Sequence, residues 1–482
     1  MSIKSVVILG GGPIGLMCAI EAKKHFKIVT IVEKRAGYTR TNVPVLQDDI
    51  KQHLKNLKLQ AKLGSQNDSV PTVPFAKLEE ALWEKAEKKG VEMLRGYVVE
   101  GLFGQQKKPD GMYKSMALTL REWDNTNKTI SANSSAISLT ADLLVVATGG
   151  GANADPIMKR LGFEWEELKA KNYAAYGIFE PGSTYIYQDD GSGRPVFDTQ
   201  LNNDIRPTIQ AVIPGGSGSG RTGLTTSDHN YLLVTLTGVT KKDYKALQAD
   251  TNKLRKLLIS VGKTMQGTVL NQLKTSVDRN VALFKISVKR AQQFYSPEYP
   301  AVLVGDAAVT PHPETGSGLV TGFRGFEEIC KLFTALSKTR RSEDNRALFL
   351  DFDRSYELSV SSKALKGTYT ILHNLRLMVL QFKTDVIGSL GGATNRAVIA
   401  YVQQQRQIAD ALAQDLQSEM DEAEGLHKVL EGLPAPNLDP SASMGRLWAR
   451  INQTWRQIKD FTSDISLLDD RLRELEAEMT FT

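Results

Sequence analysis

In the first third of the chain, short apolar runs alternate with helical stripes. Ser5-Val-Val-Ile-Leu9 is apolar and rich in β-branched residues, the pattern of a parallel strand covered on both faces. Apolar positions at 16–22 recur with helical spacing, and 28–32 predicts a second buried strand. Further strands are predicted at 142–147 and 300–306, and a helix from about 319 to 336. Between them, strand-like runs at 173–179, 185–187, 208–213 and 231–236 mix with a helical stretch at 241–261. Asp189-Asp-Gly191 with Gly193 predicts a hairpin turn, and the Gly/Ser-rich 214–223 reads as a flexible loop.

From about Asp351 the pattern is helical. Apolar residues from Ile408 through Leu416, Met420 and Leu426 to Leu433 step by about 3.6 residues, which is one helix face. Gly432, Pro434 and Pro436 end that stripe. A second stripe runs from Leu447 through Trp455 and Phe461 to Met479, restarted by Asp439 and Pro440. Two long helices around a short Pro-rich turn make a helical hairpin that must bury its stripe on something, either this chain or a protein partner.

Composition narrows the class. The chain has 482 residues, 41% hydrophobic and 24% charged, ordinary values for a globular protein of two or three domains. The net charge of +6 is spread along the sequence, and Glu343 and Asp344 interrupt the basic stretch 338–346, so a nucleic-acid partner is not expected. Two isolated cysteines, Cys18 and Cys330, fit a reducing cytoplasm rather than a disulfide scaffold, and Cys18 reads as buried packing. No signal peptide is expected, and no apolar run reaches the ~20 residues of a membrane span. The 6 histidines show no His-Glu-x-x-His and the cysteines no Cys-x-x-Cys, so no metal site is expected.

The first predicted strand runs into Gly10-Gly-Gly12-Pro13-Ile14-Gly15, and the second ends on Glu33, eighteen residues beyond Gly15. Gly10 permits a tight turn, Gly12 lets backbone approach a pyrophosphate, and Gly15 lets the helix pack close to the strand. The helix start offers free N–H groups to phosphate, and Glu33 can accept from ribose hydroxyls. Strand, glycines, helix, strand and acid in register predict a dinucleotide site, but do not separate FAD from NAD.

A second signal lies far downstream. The strand at 300–306 ends in Gly305-Asp306, followed by Pro311-His312-Pro313 and Thr315-Gly316-Ser-Gly318 before Leu319. An aspartate at a strand end suits a ribityl hydroxyl, and the helix start behind Gly318 suits negative charge on a reduced flavin.

Together these residues resemble class A FAD monooxygenases of the p-hydroxybenzoate-hydroxylase fold. Short stretches are similar to the monooxygenase domain of the MICAL proteins: Val32-Glu-Lys-Arg35 with Tyr38-Thr-Arg40-Thr-Asn42, Tyr173–Phe179, and Gly322-Phe-Arg-Gly-Phe326. The resemblance covers about residues 1–335. It implies that Glu33 binds the adenosine ribose, with Lys34, Arg35, Arg40 and Asn42 along the FAD. It implies further that Asp306 holds the ribityl or pyrophosphate segment and that Pro313, Gly316, Gly318 and Leu319 lie beside the isoalloxazine. His312 stands where the MICAL pattern has an indole and is the candidate catalytic residue. Thr148-Gly149 replaces the family's Asp-Gly and still fits FAD contact, whereas Asp155 stands where an arginine serves NADPH.

The expected architecture is α/β. A discontinuous Rossmann-type FAD-binding domain (1–154 and 296–340) is joined by a β-sheet substrate domain (155–295) and a C-terminal helical domain (351–482). The implied activity is oxygenation of an organic small molecule through a flavin C4a-(hydro)peroxide, with NADPH or NADH as reductant. Two readings stay open beside it: an FAD dehydrogenase or reductase of the same fold, and an FAD-stabilised protein that binds a partner through its C-terminal helices.

Overall fold

The computed structural model describes residues 3–38, 40, 44, 46, 48–59, 73–132, 134–152, 155–168, 173–179, 212, 217–225, 230–237, 239, 241–262, 281–311, 313, 318–339, 345–361 and 364. They fall into two compact units. The first draws on Met1–Glu167, Lys289–Pro311 and Gly316–Ala364, and the second takes its described residues from Leu168–Val288 together with Pro313.

The first unit is built on a five-stranded parallel sheet. β1 (Ser5–Leu9) lies between β2 (Ile28–Glu33) and β8 (Leu143–Val146), β3 (Glu92–Arg95) flanks β2, and β15 (Ala301–Leu303) flanks β8. Every pairing is parallel. β1, β8 and β15 are buried along their whole lengths, as their unbroken apolar runs predict. The order reverses at β1, so a crevice opens between the carboxyl ends of β1 and β8.

Helices cover this sheet. α1 (Pro13–His25) follows β1 directly with Pro13 in its first turn, where the missing N–H costs nothing. Cys18 is fully buried within α1. α2 (Asp48–Asn56) and α3 (Phe75–Lys88) precede β3. Far along the chain, α7 (Gly318–Lys338) packs on α1, and Phe26 meets Phe333 edge to face at 5.4 Å between centroids.

Two further sheets extend the unit. β4 (Tyr97–Lys107) and β5 (Tyr113–Asp124) form a long hairpin with β6 (Thr129–Ile130) and β7 (Ile137–Ala141) beside β5. After the short α4 (Pro156–Arg160) and β9 (Trp165–Leu168), the smaller sheet has the order β16 (Val309–Thr310), β14 (Val288–Ala291), β9.

α8 (Asn345–Tyr356) and a π-helical turn, Glu357–Ser361, belong to this unit. A buried ion pair between Arg290 on β14 and Glu357 ties that turn to the small sheet. Breaking such a pair leaves a buried charge without compensation and costs about 3–5 kcal/mol.

The second unit holds a four-stranded antiparallel sheet of order β11 (Ser217–Thr225), β12 (Asn230–Thr237), β10 (Tyr173–Phe179), β13 (Val281–Lys285). Leu232, Val234 and Leu236 alternate along β12 and pack with Ala175 against α5 (Lys241–Ala249) and α6 (Thr251–Gly262).

Two expectations are corrected here. The Gly/Ser-rich stretch read as a flexible loop contains strand β11, which pairs along β12 through backbone groups that a small-residue composition still supplies. The helical stretch at 241–261 is two helices, parted at Asp250, whose carboxylate accepts from the Lys253 N–H at 3.0 Å as a cap of α6 does. The expected strand at 185–187, the 189–193 turn and the C-terminal hairpin lie outside the described residues, as does the expected strand at 208–213 apart from Val212, which stands in a turn. Among the described residues no helix is long and apolar enough to cross a membrane, and no group of three or more His, Cys, Asp or Glu side chains could hold a metal ion.

Candidate functional site

The crevice between β1 and β8 is lined by the glycine turn. Gly10 has φ +104°, a conformation only glycine adopts freely, and a Cβ there would stand 2.3 Å from the Ala147 carbonyl oxygen. At Gly15 a Cβ would stand 2.0 Å from the Gly10 carbonyl oxygen, so helix and turn touch backbone to backbone. Gly12 differs. A Cβ there would meet only Glu79 Oε1, at 3.9 Å, and φ is an ordinary −71°. Geometry thus demands glycine at 10 and 15 for the fold, but at 12 leaves room for something else to approach.

Glu33, at the end of β2, is buried and heavily engaged. Its Oε2 accepts the Gly11 N–H at 2.6 Å and Arg35 Nη2 at 3.1 Å. Its Oε1 accepts the Arg35 N–H and Nε, each at 2.8 Å. Burial pushes its carboxyl up, but the Arg35 hydrogen bonds and charge outweigh burial and hold it below the usual range. Tyr38 donates to the Gly11 carbonyl at 2.5 Å and lies under the Arg35 and Arg95 guanidiniums, at 5.1 and 4.8 Å. Lys34 is exposed and sits over the Trp123 ring at 5.6 Å.

A second acid completes the cluster. Glu79, on α3, is fully buried and pairs through Oε1 with Arg35 Nη2 at 3.3 Å and Arg40 Nη1 at 3.6 Å. Burial raises its carboxyl, and Arg40 and Arg35 pull it back without cancelling the rise. The sequence reading missed Glu79. The signal was available: along α3 the buried positions are Leu78, Glu79, Ala81, Leu82, Trp83 and Ala86, so one acid lies on the apolar stripe.

The downstream motif arrives at the same edge of the sheet. Gly305, two residues beyond β15, has φ +62°, and a Cβ there would lie 3.6 Å from the Ile14 side chain. Gly322, on α7, would meet Ile14 Cγ1 at 2.7 Å. One residue of the first glycine motif therefore packs under Gly305 of the second and under Gly322 of α7. Tyr356, fully buried on α8, accepts the Gly305 N–H through its hydroxyl at 3.1 Å and fixes that turn.

Asp306 follows, reached by solvent yet enclosed enough that its carboxyl is pushed up to about 6, with Arg40 and Lys289 pulling it back. Thr148 and Gly149 follow β8 across the crevice, with the Thr148 nitrogen 3.0 Å from a Cβ built at Gly10. Pro313 is half-buried, and Gly318 and Leu319 open α7.

The structure therefore brings Gly10, Gly12, Pro13, Ile14, Gly15, Glu33, Arg35, Arg40 and Asp306 to one edge. His312, Asn42 and Gly316 lie outside the described residues. Asp155 caps α4, accepting the Ile157 N–H at 2.9 Å, which gives this acid a structural reason to stand there.

The donor set suits a dinucleotide. The open approach at Gly12, the start of α1 with no side-chain cap on its free N–H groups, and the Arg35 and Arg40 guanidiniums beside Glu33 and Glu79 fit a diphosphate flanked by a ribose.

Residues 1–173 match a family model described as pyridine nucleotide-disulphide oxidoreductase. No curated protein matches the sequence. Among solved structures, the chain is similar to CabE, an aromatic hydroxylase from angucycline biosynthesis, at 17% identity and TM-score 0.54, covering 85% of this chain and 75% of that one. It is similar to p-nitrophenol 4-monooxygenase PnpA from Pseudomonas putida DLL-E4 at 14% identity and TM-score 0.52, over 89% and 98% of the two chains. A third is the flavin-dependent monooxygenase PieE, solved in complex with FAD and substrate, at 14% identity and TM-score 0.54, over 86% and 74%. These findings lend no support to the MICAL-like detail, which rests on short stretches of sequence. They show the fold: a parallel-sheet, Rossmann-like domain accompanied by antiparallel sheets, as in flavin monooxygenases of the p-hydroxybenzoate-hydroxylase kind.

Proposed function

We propose that this chain is an FAD-dependent monooxygenase that oxygenates a small organic substrate with electrons from NADPH or NADH. The observation that carries the proposal is the convergence of two motifs some 290 residues apart, the Gly10–Gly15 turn and Gly305-Asp306, on Ile14 at one sheet edge. A site for one half of a dinucleotide needs only the first motif, and the second supplies an acid for the remaining length of an extended FAD.

In this reading Glu33 accepts from the adenosine ribose. Gly12 and the first N–H groups of α1 take the pyrophosphate, and Arg40 balances its charge. Asp306 accepts from the ribityl chain or orders the pyrophosphate, while Pro313, Gly318 and the α7 start lie along the ring system. FAD, once reduced, supplies dioxygen activation; the protein's share is to orient the substrate and exclude water. The second unit presents Tyr176 and Leu233 on the sheet face away from α5 and α6, the surface we assign to substrate. His312 is retained as the candidate hydrogen-bonding group at the ring.

An FAD dehydrogenase of the same fold is the second reading. It is favoured by Asp155, which caps α4 at the position where the family resemblance implies an arginine for the reductant's phosphate. An anaerobic visible spectrum before and after NADPH or NADH separates the two. Bleaching of the flavin band, reversed by air with substrate hydroxylation or hydrogen peroxide release, is the expected result. A yellow protein that no nicotinamide bleaches excludes a nicotinamide-driven monooxygenase.

A further inference from the structure

Glu33 already holds as many donors as a carboxylate has lone pairs: the Gly11 N–H and three from Arg35. A ribose diol that is to bind there must displace some of them. The Gly11 N–H belongs to the rigid turn, so the guanidinium of Arg35, 23% exposed, is the group able to leave. Its Nη2 already touches Glu79 Oε1 at 3.3 Å. The other oxygen of that carboxylate, Oε2, is buried and has no hydrogen-bond partner among the described residues. A buried carboxylate oxygen left empty beside a guanidinium that must move is a receptor already in place.

Resting on the FAD reading above, we propose that Glu79 is a positioning residue for the adenosine ribose, receiving the Arg35 guanidinium when the ribose diol takes over Glu33. Two guanidiniums, Arg35 and Arg40, then share Glu79. Both guanidiniums then stand on a carboxylate whose Oε1 would lie 3.9 Å from a Cβ at Gly12, the glycine where the pyrophosphate passes. Glu79 acts through Arg35 and touches no reacting atom.

The test uses the full chain stripped of flavin, with FAD, ADP and 2′-deoxy-ADP as probes. Wild type is expected to take up FAD and to prefer ADP over its 2′-deoxy analogue by about tenfold, one charge-assisted hydrogen bond. Glu79→Gln, with an unchanged circular dichroism spectrum, should bring that preference close to one, because Arg35 then stays on Glu33. Arg35→Met should keep the preference, and Glu79→Gln added to it should leave the preference alone.

If Glu79→Gln weakens both nucleotides equally, Glu79 only neutralises charge; the proposal then falls while the FAD reading stands. A wild type that binds FAD without discriminating the nucleotides has the same meaning. Should Glu79→Gln fail to fold, Arg35→Met alone decides: loss of the preference overturns the exchange. A wild-type chain that takes up no FAD at all removes the functional reading and this proposal with it.

Discussion

Replacing Gly12 with valine separates the cofactor claim from the fold. The position has φ −71° and ψ 174°, which β-branched residues adopt, and the new Cβ meets only Glu79 Oε1 at 3.9 Å. The flavin-free variant should therefore unfold near the wild-type temperature. Binding should suffer, because the branched side chain stands where backbone has to approach phosphate. Losing one charge-assisted hydrogen bond, about 1.5–3 kcal/mol, weakens FAD roughly 10- to 150-fold. With FAD at about 100 times the wild-type dissociation constant, linkage stabilises the wild type by roughly 2.7 kcal/mol. A 100-fold weaker variant keeps roughly 0.4 kcal/mol of that. Thermal unfolding with and without FAD reads the difference directly, a shift of several degrees in wild type that nearly vanishes in Gly12→Val. Gly15→Ala is the contrast, since its Cβ would stand 2.0 Å from the Gly10 carbonyl and the protein itself should fail. Stoichiometric FAD on Gly12→Val, or a flavin-free variant that melts far below wild type, refutes the reasoning.

Tyr356→Phe leaves the buried Gly305 N–H without its acceptor, at a cost of about 1–3 kcal/mol, read as a lower unfolding midpoint together with weaker FAD retention. Burial lifts the Asp353 carboxyl to about 6 although it accepts the Phe294 N–H. Its folded value is raised, so its stabilising share is complete below the unfolded value of 3.8 and fades as pH rises through 6. Urea titrations across that window should therefore show a decline that Asp353→Asn flattens, and an unchanged slope would show that Asp353 does not titrate there. Asp155→Ala should cost about 1 kcal/mol through the lost cap of α4. If FAD reduction by NADPH accelerates in that variant, Asp155 also holds the reductant's phosphate off.

Four strands of the parallel sheet were legible as apolar runs, whereas β3, Glu92-Met-Leu-Arg95 at the sheet edge, was not; the glycine turn was legible because each glycine answers a different steric demand. The long hairpin of β4 and β5 was not, since half-buried strands such as Tyr113–Asp124 mix apolar and polar residues on a surface whose other side the sequence does not reveal. Strand β11 stayed hidden for the opposite reason: SGSGRTGLT has almost no side-chain preference, and its pairing is decided by its neighbour. Within the site, Glu33 declared itself by its distance from Gly15. Glu79 and Tyr356 did not, because what gives them meaning, a guanidinium from after β2 and an N–H from after β15, comes from other parts of the chain.

Ile14 also bears on how this sequence is free to change. Its branched side chain fills the space between Gly305 and Gly322, and a Cβ at 322 would lie 2.7 Å from Cγ1 and 2.9 Å from Cδ1. Alanine at 322 thus requires the Ile14 side chain to shift, and a smaller residue at 14 removes the clash. Positions 14 and 322 form a compensating pair. Variants made singly at either one will look more damaging than the matched double, and sequences related to this one should drift at the two sites in step.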